Sequence, residues 1–316
     1  MSEKVEISIC IPAFKRPAFL RRLLDSIVLQ SFRNFEVIVT DDSPGKEVER
    51  LCEEYSSKIA IRYHGNLPPL GTPENWNAAL DMARGTWIKI MHDDDWFCDE
   101  HSLQSFKTAI DNNPQCEFFF AAYNNISLHA HLVQPIFLNG FRNRMLKINP
   151  NTLFSRNIIG PPSVVIHKSN NDLRYDRNMK WLVDIDFYIR FLHCSTWVYI
   201  NKPLINVGIG EEQVTRDCFR QRPIEIPENF YLLNKVSISA LRNIIVYDAW
   251  WRLMRNLEIR KKEEITESGY AGIIPPVILS MVSWQSKLPG FILNTGILSK
   301  AIMLVHYICN YGKIIP

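Results

Sequence analysis

The sequence has no CxxC pair. Its seven cysteines, Cys10, Cys52, Cys98, Cys116, Cys194, Cys218 and Cys309, stand singly, which argues against a zinc site and a disulfide framework and fits a reducing compartment. Nor is there an uninterrupted apolar run of membrane-spanning length. The longest approach, Gly290 to Cys309, is broken by Asn294, Lys300 and His306 and reads as non-spanning. The opening MSEKVEISIC lacks the apolar core of an export signal, so a cytoplasmic location is expected. A formal net charge of +3, with acids and bases interspersed, leaves no footprint for nucleic acid. GxSxG and P-loop patterns are absent, which removes the common hydrolase and NTPase readings, and the eight histidines form no metal-spaced pair. Internal repeats and low-complexity tracts are missing as well.

What is present is an alternation of strand and helix patterns. Val5 to Ile11 is β-rich, and Pro17 opens a segment with apolar residues at helical spacing. Phe35 to Thr40 reads as a second strand, Glu47 to Tyr55 as a helix, Ile59 to Tyr63 as a third strand, and Pro73 to Arg84 as a helix stopped by Gly85. Thr86 to Met91 is a fourth strand, followed by a helix over Ser102 to Asn112 and a strand over Glu117 to Ala122. This βαβα order predicts an α/β fold with a mostly parallel sheet flanked by helices, and such sheets bind ligands beyond the carboxyl ends of their strands. Lys15-Arg16, Asp41-Asp42 and Asp93 to Asp95 all fall at such ends. Beyond Phe219 the pattern turns helical, basic and aromatic, giving expected domains of 1–218 and 219–316.

Three consecutive aspartates behind a buried strand repel one another and resist desolvation, so a bound cation or ligand would offset their cost. Carboxylates are hard ligands for magnesium or manganese, which commonly share their shell with substrate phosphates. A solvated acidic turn capping the next helix is the competing reading of DDD, and ordinary turn chemistry competes at Asp41-Asp42. Farther on, Asp186 and Arg190 are four apart on a helix and can pair, which leaves Asp184 without a structural partner and open to a role as general base.

The ordered set ISICIPAFKRP, VIVTDDSP, NLPPLGTPENWNAALDMARGTWIKIMHDDDW, GPPS and WLVDIDFYIRFL resembles the family 2 glycosyltransferases of the GT-A fold, over about residues 4–215. The resemblance implies an inverting enzyme of the hexosyltransferase type that uses a nucleotide-diphosphate sugar, UDP-linked in the first place, with Mn2+ or Mg2+. It implies Asp42 as the acid contacting the base and Asp94 as the acid contacting the ribose. Asp93 and Asp95 become metal ligands of a DXD motif, and Asp184 the catalytic base. Pro12, Phe14, Lys15, Gly71 and Asn75 fall in regions that line the nucleotide.

The sequence departs from that pattern at His92, where an Asp is frequent, at Val183, and in NVGIGEEQVT, which lacks the Arg and His of the late loop; Arg216 or His167 would have to substitute. The resemblance also suggests a saccharide acceptor, lipid-linked in O-antigen or capsule synthesis. Two C-terminal segments, Ile273 to Trp284 and Phe291 to Tyr307, offer apolar faces, either as a helical lid or as a peripheral contact with the cytoplasmic face of a membrane. The rival readings are a nucleotidyltransferase, against which the glycine-free IPAFKRP counts, and a catalytically silent sugar-nucleotide-binding or polysaccharide-binding subunit.

Overall fold

The computed structural model describes residues 4–127, 132–170, 172–210 and 218–314. The chain divides into two compact units: Met1–Arg142 with Ile158–Asn178 and Asp186–Glu212, and Asn143–Asn157 with Met179–Ile185 and Gln213–Pro316. The second unit thus takes in the C-terminal region and two earlier segments, one of which carries Asp184.

The first unit is built on a nine-stranded sheet. Its strands are β1 (Ile7–Ala13), β2 (Phe35–Asp41), β3 (Ile61–Gly65), β4 (Trp87–Ile90), β5 (Trp96–Phe97), β6 (Phe118–Ser127), β7 (Val133–Ile136), β8 (Val165–Lys168) and β9 (Trp197–Ile209). They lie in the order β3-β2-β1-β4-β8-β6-β9-β5, with β7 beside β6. Every residue of β1 and β2 is buried, as expected of parallel strands covered on both faces. The helices between them are α1 (Pro17–Val28), α2 (Glu47–Tyr55), α3 (Glu74–Met82) and α4 (Ser102–Asn112). Proline at the start of α1 suits a first turn whose N–H groups have no helical partner.

The expected mostly parallel sheet holds for only part of this order. The stretch β3-β2-β1-β4 is parallel throughout, but β8 runs antiparallel to both β4 and β6, β9 is parallel to β6, and β5 and β7 are antiparallel additions. The parallel stretch positions the site, because it sends the carboxyl ends of β1, β2 and β4 to one edge. Within the turns there, Asp42 N donates to Ala13 O at 3.1 Å and Met91 N to Cys10 O at 2.9 Å.

The helix α5 (Gly140–Ile148) starts in the first unit and continues into the second, whereas α6 (Val183–Cys194) starts in the second and continues into the first. Among the described residues, the remaining α-helices along the second unit are α7 (Arg222–Val236), α8 (Ile244–Asn256), α9 (Lys262–Glu267), α10 (Pro276–Ser286), α11 (Gly290–Asn294) and α12 (Gly296–Asn310). Their core holds Phe230, Tyr247, Trp250, Trp251, Ile278 and Met281, all fully buried. Burying one such tryptophan contributes roughly 4–6 kcal/mol of transfer free energy, enough to give this unit a core of its own. No helix among the described residues is long and apolar enough to cross a membrane.

Candidate metal and nucleotide site

Beyond β4 the chain turns sharply through His92 to Asp95, with Asp95 N donating to His92 O at 3.1 Å. One ligand atom each from His92, Asp94 and Asp95 lies within 4.8 Å of the others, a spacing three donors to one cation require. Two polar atoms in this group are buried without a hydrogen-bond partner, His92 Nε2 and Asp95 Oδ2. Burial pushes the His92 pKa down to about 4, which keeps the ring in the neutral form that binds metals. Burial first, and then the Asp94 charge, push the Asp95 carboxyl well above the usual carboxylate range. Orphaned donors that resist their own charges fit a divalent cation.

The DDD motif is therefore divided in a way its spelling does not show. Asp93, expected as a metal ligand, has both oxygens engaged by Arg16, from Nε at 3.2 Å and from Nη2, while Arg16 Nη1 reaches Asp94 Oδ2 at 3.1 Å. The group that converges is His92, Asp94 and Asp95. Asp94, expected at the ribose, lies within that group.

The turn is held from three other elements. Arg22 of α1 donates to Asp94 O at 2.8 Å, with its guanidinium 3.7 Å from the Trp96 ring centroid. Ser163, in the expected GPPS motif, accepts from His92 N at 2.9 Å through its hydroxyl and from the buried Lys89 ammonium through its carbonyl. Burial lowers the Lys89 pKa to about 7, and the nearby Asp95 charge opposes this. Gly208 of β9 donates its N–H to Asp95 Oδ1 at 3.1 Å. A Cβ at Gly208 would stand 2.5 Å from Asp94 O, so only glycine lets the strand approach this closely.

The expected nucleotide residues line the next two strand ends. Asp42, almost fully buried, accepts from Asn66 Nδ2 at 2.8 Å, Leu70 N at 2.9 Å and Gly71 N at 2.7 Å. Its carboxylate thus organises the 66–71 loop, and Gly71 meets it with a left-handed φ of 74° that favours glycine. Asn75 is buried, accepting from Asn66 at 2.9 Å and donating to Ala13 O at 3.3 Å, which joins the start of α3 to the end of β1. Lys15 is exposed with a left-handed φ of 56°, its N–H held by Ser43 Oγ at 2.7 Å and its ammonium 4.7 Å from the exposed Phe14 ring centroid. Pro12 is buried inside β1, paired with Thr40.

Asp184 belongs to the second unit and lies in the first turn of α6. Its Oδ2 accepts from Asn157 Nδ2 at 2.6 Å and its Oδ1 from Ile185 N at 2.8 Å. Burial pushes its pKa up to about 6 against the pull of these bonds, the range a general base near neutrality uses. The turn before it is gripped by Glu228 of α7, whose carboxylate accepts from the successive N–H groups of Lys180, Trp181 and Leu182, each at 2.8 Å. Asp186 pairs with Arg190, Nε to Oδ2 at 2.8 Å, as the four-residue spacing predicts.

His167, considered as a substitute phosphate contact, packs between the Phe187 and Phe191 rings with Nδ1 on Lys168 O at 2.9 Å, so it is a core residue. Arg216 lies outside the described residues. Sequence reasoning missed the roles of Arg22, Ser163, Gly208, Asn157 and Glu228. Their only signals were a glycine in NVGIG, the GPPS run and acids or amides distant in sequence.

A sheet with a parallel stretch, acids at the carboxyl ends of β2 and β4 and a turn able to hold a cation make up a domain of the GT-A fold. Residues 8–160, just under half of the chain, match the family model described as Glycosyl transferase family 2.

A relative from Haemophilus influenzae named "Uncharacterized glycosyltransferase" is 26% identical over 206 residues, 63% of this chain and 66% of that protein. The chain spans about two thirds of the length of the first such relatives it matches. A Campylobacter jejuni protein named GalNAc(5)-diNAcBac-PP-undecaprenol beta-1,3-glucosyltransferase is 29% identical over 92 residues, 28% of this chain and 30% of its own. The crystal structure of S. aureus TarS 1-349 in complex with UDP-GlcNAc shares the fold with a TM-score of 0.65 at 15% identity, covering 98% of this chain and 90% of that one. The mannosyltransferase PcManGT from Pyrobaculum calidifontis, in complex with GDP-Man and Mn2+, shares it with a TM-score of 0.54 at 13% identity, over 98% and 88% of the two chains.

Proposed function

We propose that this chain is a metal-dependent inverting glycosyltransferase that moves a sugar from a nucleotide-diphosphate donor, UDP-linked in the first place, to a saccharide acceptor. The observation that carries the reading is the convergence of His92, Asp94 and Asp95 on one point, beside the strand ends that bear Arg16 and Asp42, in a family 2 domain. The structural neighbours bound to UDP-GlcNAc and to GDP-Man with Mn2+ support a nucleotide-sugar donor. The Campylobacter relative, named for an undecaprenol-linked saccharide, supports a lipid-linked acceptor of the kind used in surface polysaccharide synthesis.

Held by His92, Asp94 and Asp95, Mn2+ or Mg2+ would supply Lewis-acid neutralisation of charge on a departing diphosphate. The chain's own residues do the rest. Asp42 orders the 66–71 loop against which the nucleoside would lie. Arg16 fixes Asp93 and Asp94 so that the turn keeps its shape. Asp184 takes the proton of the acceptor hydroxyl, and Asn157 orients the carboxylate for it. Attack by that hydroxyl opposite the leaving nucleotide inverts the anomeric centre.

The test is a thermal-shift screen of UDP, GDP, CDP and dTDP with and without Mn2+ on the wild type and Asp95→Ala, since a ligand that binds the native state raises its melting temperature. One nucleotide should stabilise the protein only with metal, and the variant should lose the effect. No shift from any nucleotide under either condition would overturn the reading.

A further inference from the structure

The helix α12 (Gly296–Asn310) is amphipathic in the wrong sense for water. Ser299, His306 and Asn310 point inward and are hydrogen-bonded there, while Lys300 is exposed. Ser299 Oγ accepts from Trp251 Nε1 at 3.1 Å, His306 lies between Tyr247 OH at 2.7 Å and Ser280 Oγ at 2.9 Å, and Asn310 Nδ2 donates to His306 O at 2.9 Å. All three are buried. The opposite face carries Ile297, Ala301, Leu304, Val305 and Ile308 at three- and four-residue intervals, all exposed, Ile297 by 84% and Ile308 by 67%. Phe291, 71% exposed, precedes this stripe and the exposed Tyr311 follows it. A contiguous apolar face on a helix marks an interaction surface, whereas scattered exposed side chains do not.

Charge indicates the occupant. The sequence has no aspartate or glutamate after Glu267, while Lys287, Lys300 and Lys313 are all exposed. Three arginines earlier in the unit are engaged within the protein. Arg252 pairs with Asp248 at 2.9 Å, Arg260 Nη1 donates to Ile259 O at 3.1 Å and Arg242 Nε donates to Ile314 O at 3.0 Å. Of the two segments expected to offer apolar faces, α10 is spent on the core, with Val277, Ile278, Met281 and Val282 buried, so the free face is that of α12. Fifteen helical residues reach about 22 Å, short of the roughly 30 Å hydrocarbon core of a bilayer, so such a helix lies in the interface plane.

We infer that α12, with Phe291 and the flanking lysines, docks on an anionic lipid bilayer surface. The apolar stripe sits at the acyl boundary and the lysines meet anionic headgroups. Acid-free flanks remove the repulsion that would otherwise oppose this.

The test is co-sedimentation of the full chain with vesicles of phosphatidylcholine alone and with roughly 30% phosphatidylglycerol, at low and high salt. The wild type should bind the anionic vesicles and release with salt. The triple variant Ile297→Ser, Leu304→Ser, Ile308→Ser should lose binding by about tenfold or more, with an unchanged melting temperature because these side chains are exposed. Lys287→Gln and Lys300→Gln should each weaken it about fivefold. Absence of binding, or equal binding to neutral vesicles, would overturn the inference. So would a wild-type dimer by light scattering that the triple variant dissociates, which would make a second copy the occupant. The readout involves no sugar transfer, so its failure leaves the proposed function standing.

Discussion

Both oxygens of the buried Asp93 accept hydrogen bonds from the guanidinium of Arg16, across 77 residues of sequence, and the same group reaches Asp94. Burial nevertheless pushes the Asp93 pKa up to about 7, with Arg16 opposing the rise. A carboxyl whose folded pKa lies above its unfolded one binds more protons when folded. Its contribution to stability is thus fully present below the unfolded value of about 4 and is lost as pH rises through about 7. Removing Arg16 leaves Asp93 to ionise alone. Arg16→Ala should cost little near pH 5 and about 1.4 kcal/mol more near pH 8, one pH unit above that pKa, read by urea unfolding at both. Equal losses at the two pH values would show that Arg16 does not stabilise the charged form.

The division of the DDD motif gives a second prediction. His92→Ala and Asp95→Asn should each weaken Mn2+ binding by tenfold or more, and Asp93→Asn by no more than about threefold, measured by the free-ion signal in electron paramagnetic resonance titration. A larger loss at Asp93 than at His92 would return the ligand role to the first aspartate of the motif.

Gly208→Ala places a Cβ at the 2.5 Å approach between β9 and Asp94 O, where the obstacle is backbone and cannot rotate away. The expected cost is about 1–3 kcal/mol in denaturant stability, with weakened Mn2+ affinity because the Asp95 Oδ1 contact to Gly208 N must move. If stability and affinity both stay at wild-type values, the close approach does not shape the turn.

These features show what a linear reading can reach. The early elements were legible because each βα unit declares itself locally: the helices α1, α2 and α4 begin where Pro17, Glu47 and Ser102 predict. The acids at the ends of β2 and β4 were legible because strand ends are visible in the pattern. The antiparallel second half was not, since pairings such as β4 with β8 and β6 with β9 bring together segments 70 to 80 residues apart, and no local period encodes that. The same holds within the site. Arg16 was visible as a charge, but its choice of Asp93 over water depends on tertiary burial, and so does the grouping of Asp94 and Asp95 with His92 in place of the expected Asp93 and Asp95 pair. Glu228 was unreadable because its three partners are backbone N–H groups.

As the proposed base, Asp184 would set a pH profile. With a pKa of about 6, a base that must be ionised to act gives a kcat/KM that rises with pH through about 6 and levels off above it. Asp184→Asn should lower kcat by about a hundredfold or more at every pH. Asn157→Leu removes the 2.6 Å bond that favours and orients the charged carboxylate, so its profile should shift to higher pH and its plateau should fall. An unshifted profile in that variant would assign the limb to another group.

Glu228 offers the most direct test of how that base is held. A carboxylate accepting three successive N–H groups at 2.8 Å satisfies the turn that leads into α6, and each such charge-assisted bond is worth about 1.5–3 kcal/mol. Glu228→Ala should destabilise the protein by about 2–4 kcal/mol, because three donors, the buried Leu182 N–H among them, lose their partner at once. Glu228→Gln, which keeps one acceptor oxygen but brings donors that meet donors, should be intermediate in stability. If the turn positions Asp184, the glutamine variant should lose kcat more than it raises KM, and its pH profile should broaden or shift as the carboxylate loses its fixed bonds to Asn157 and Ile185. A glutamine variant that is destabilised yet keeps the wild-type kcat and pH profile would show that the grip of Glu228 serves folding alone.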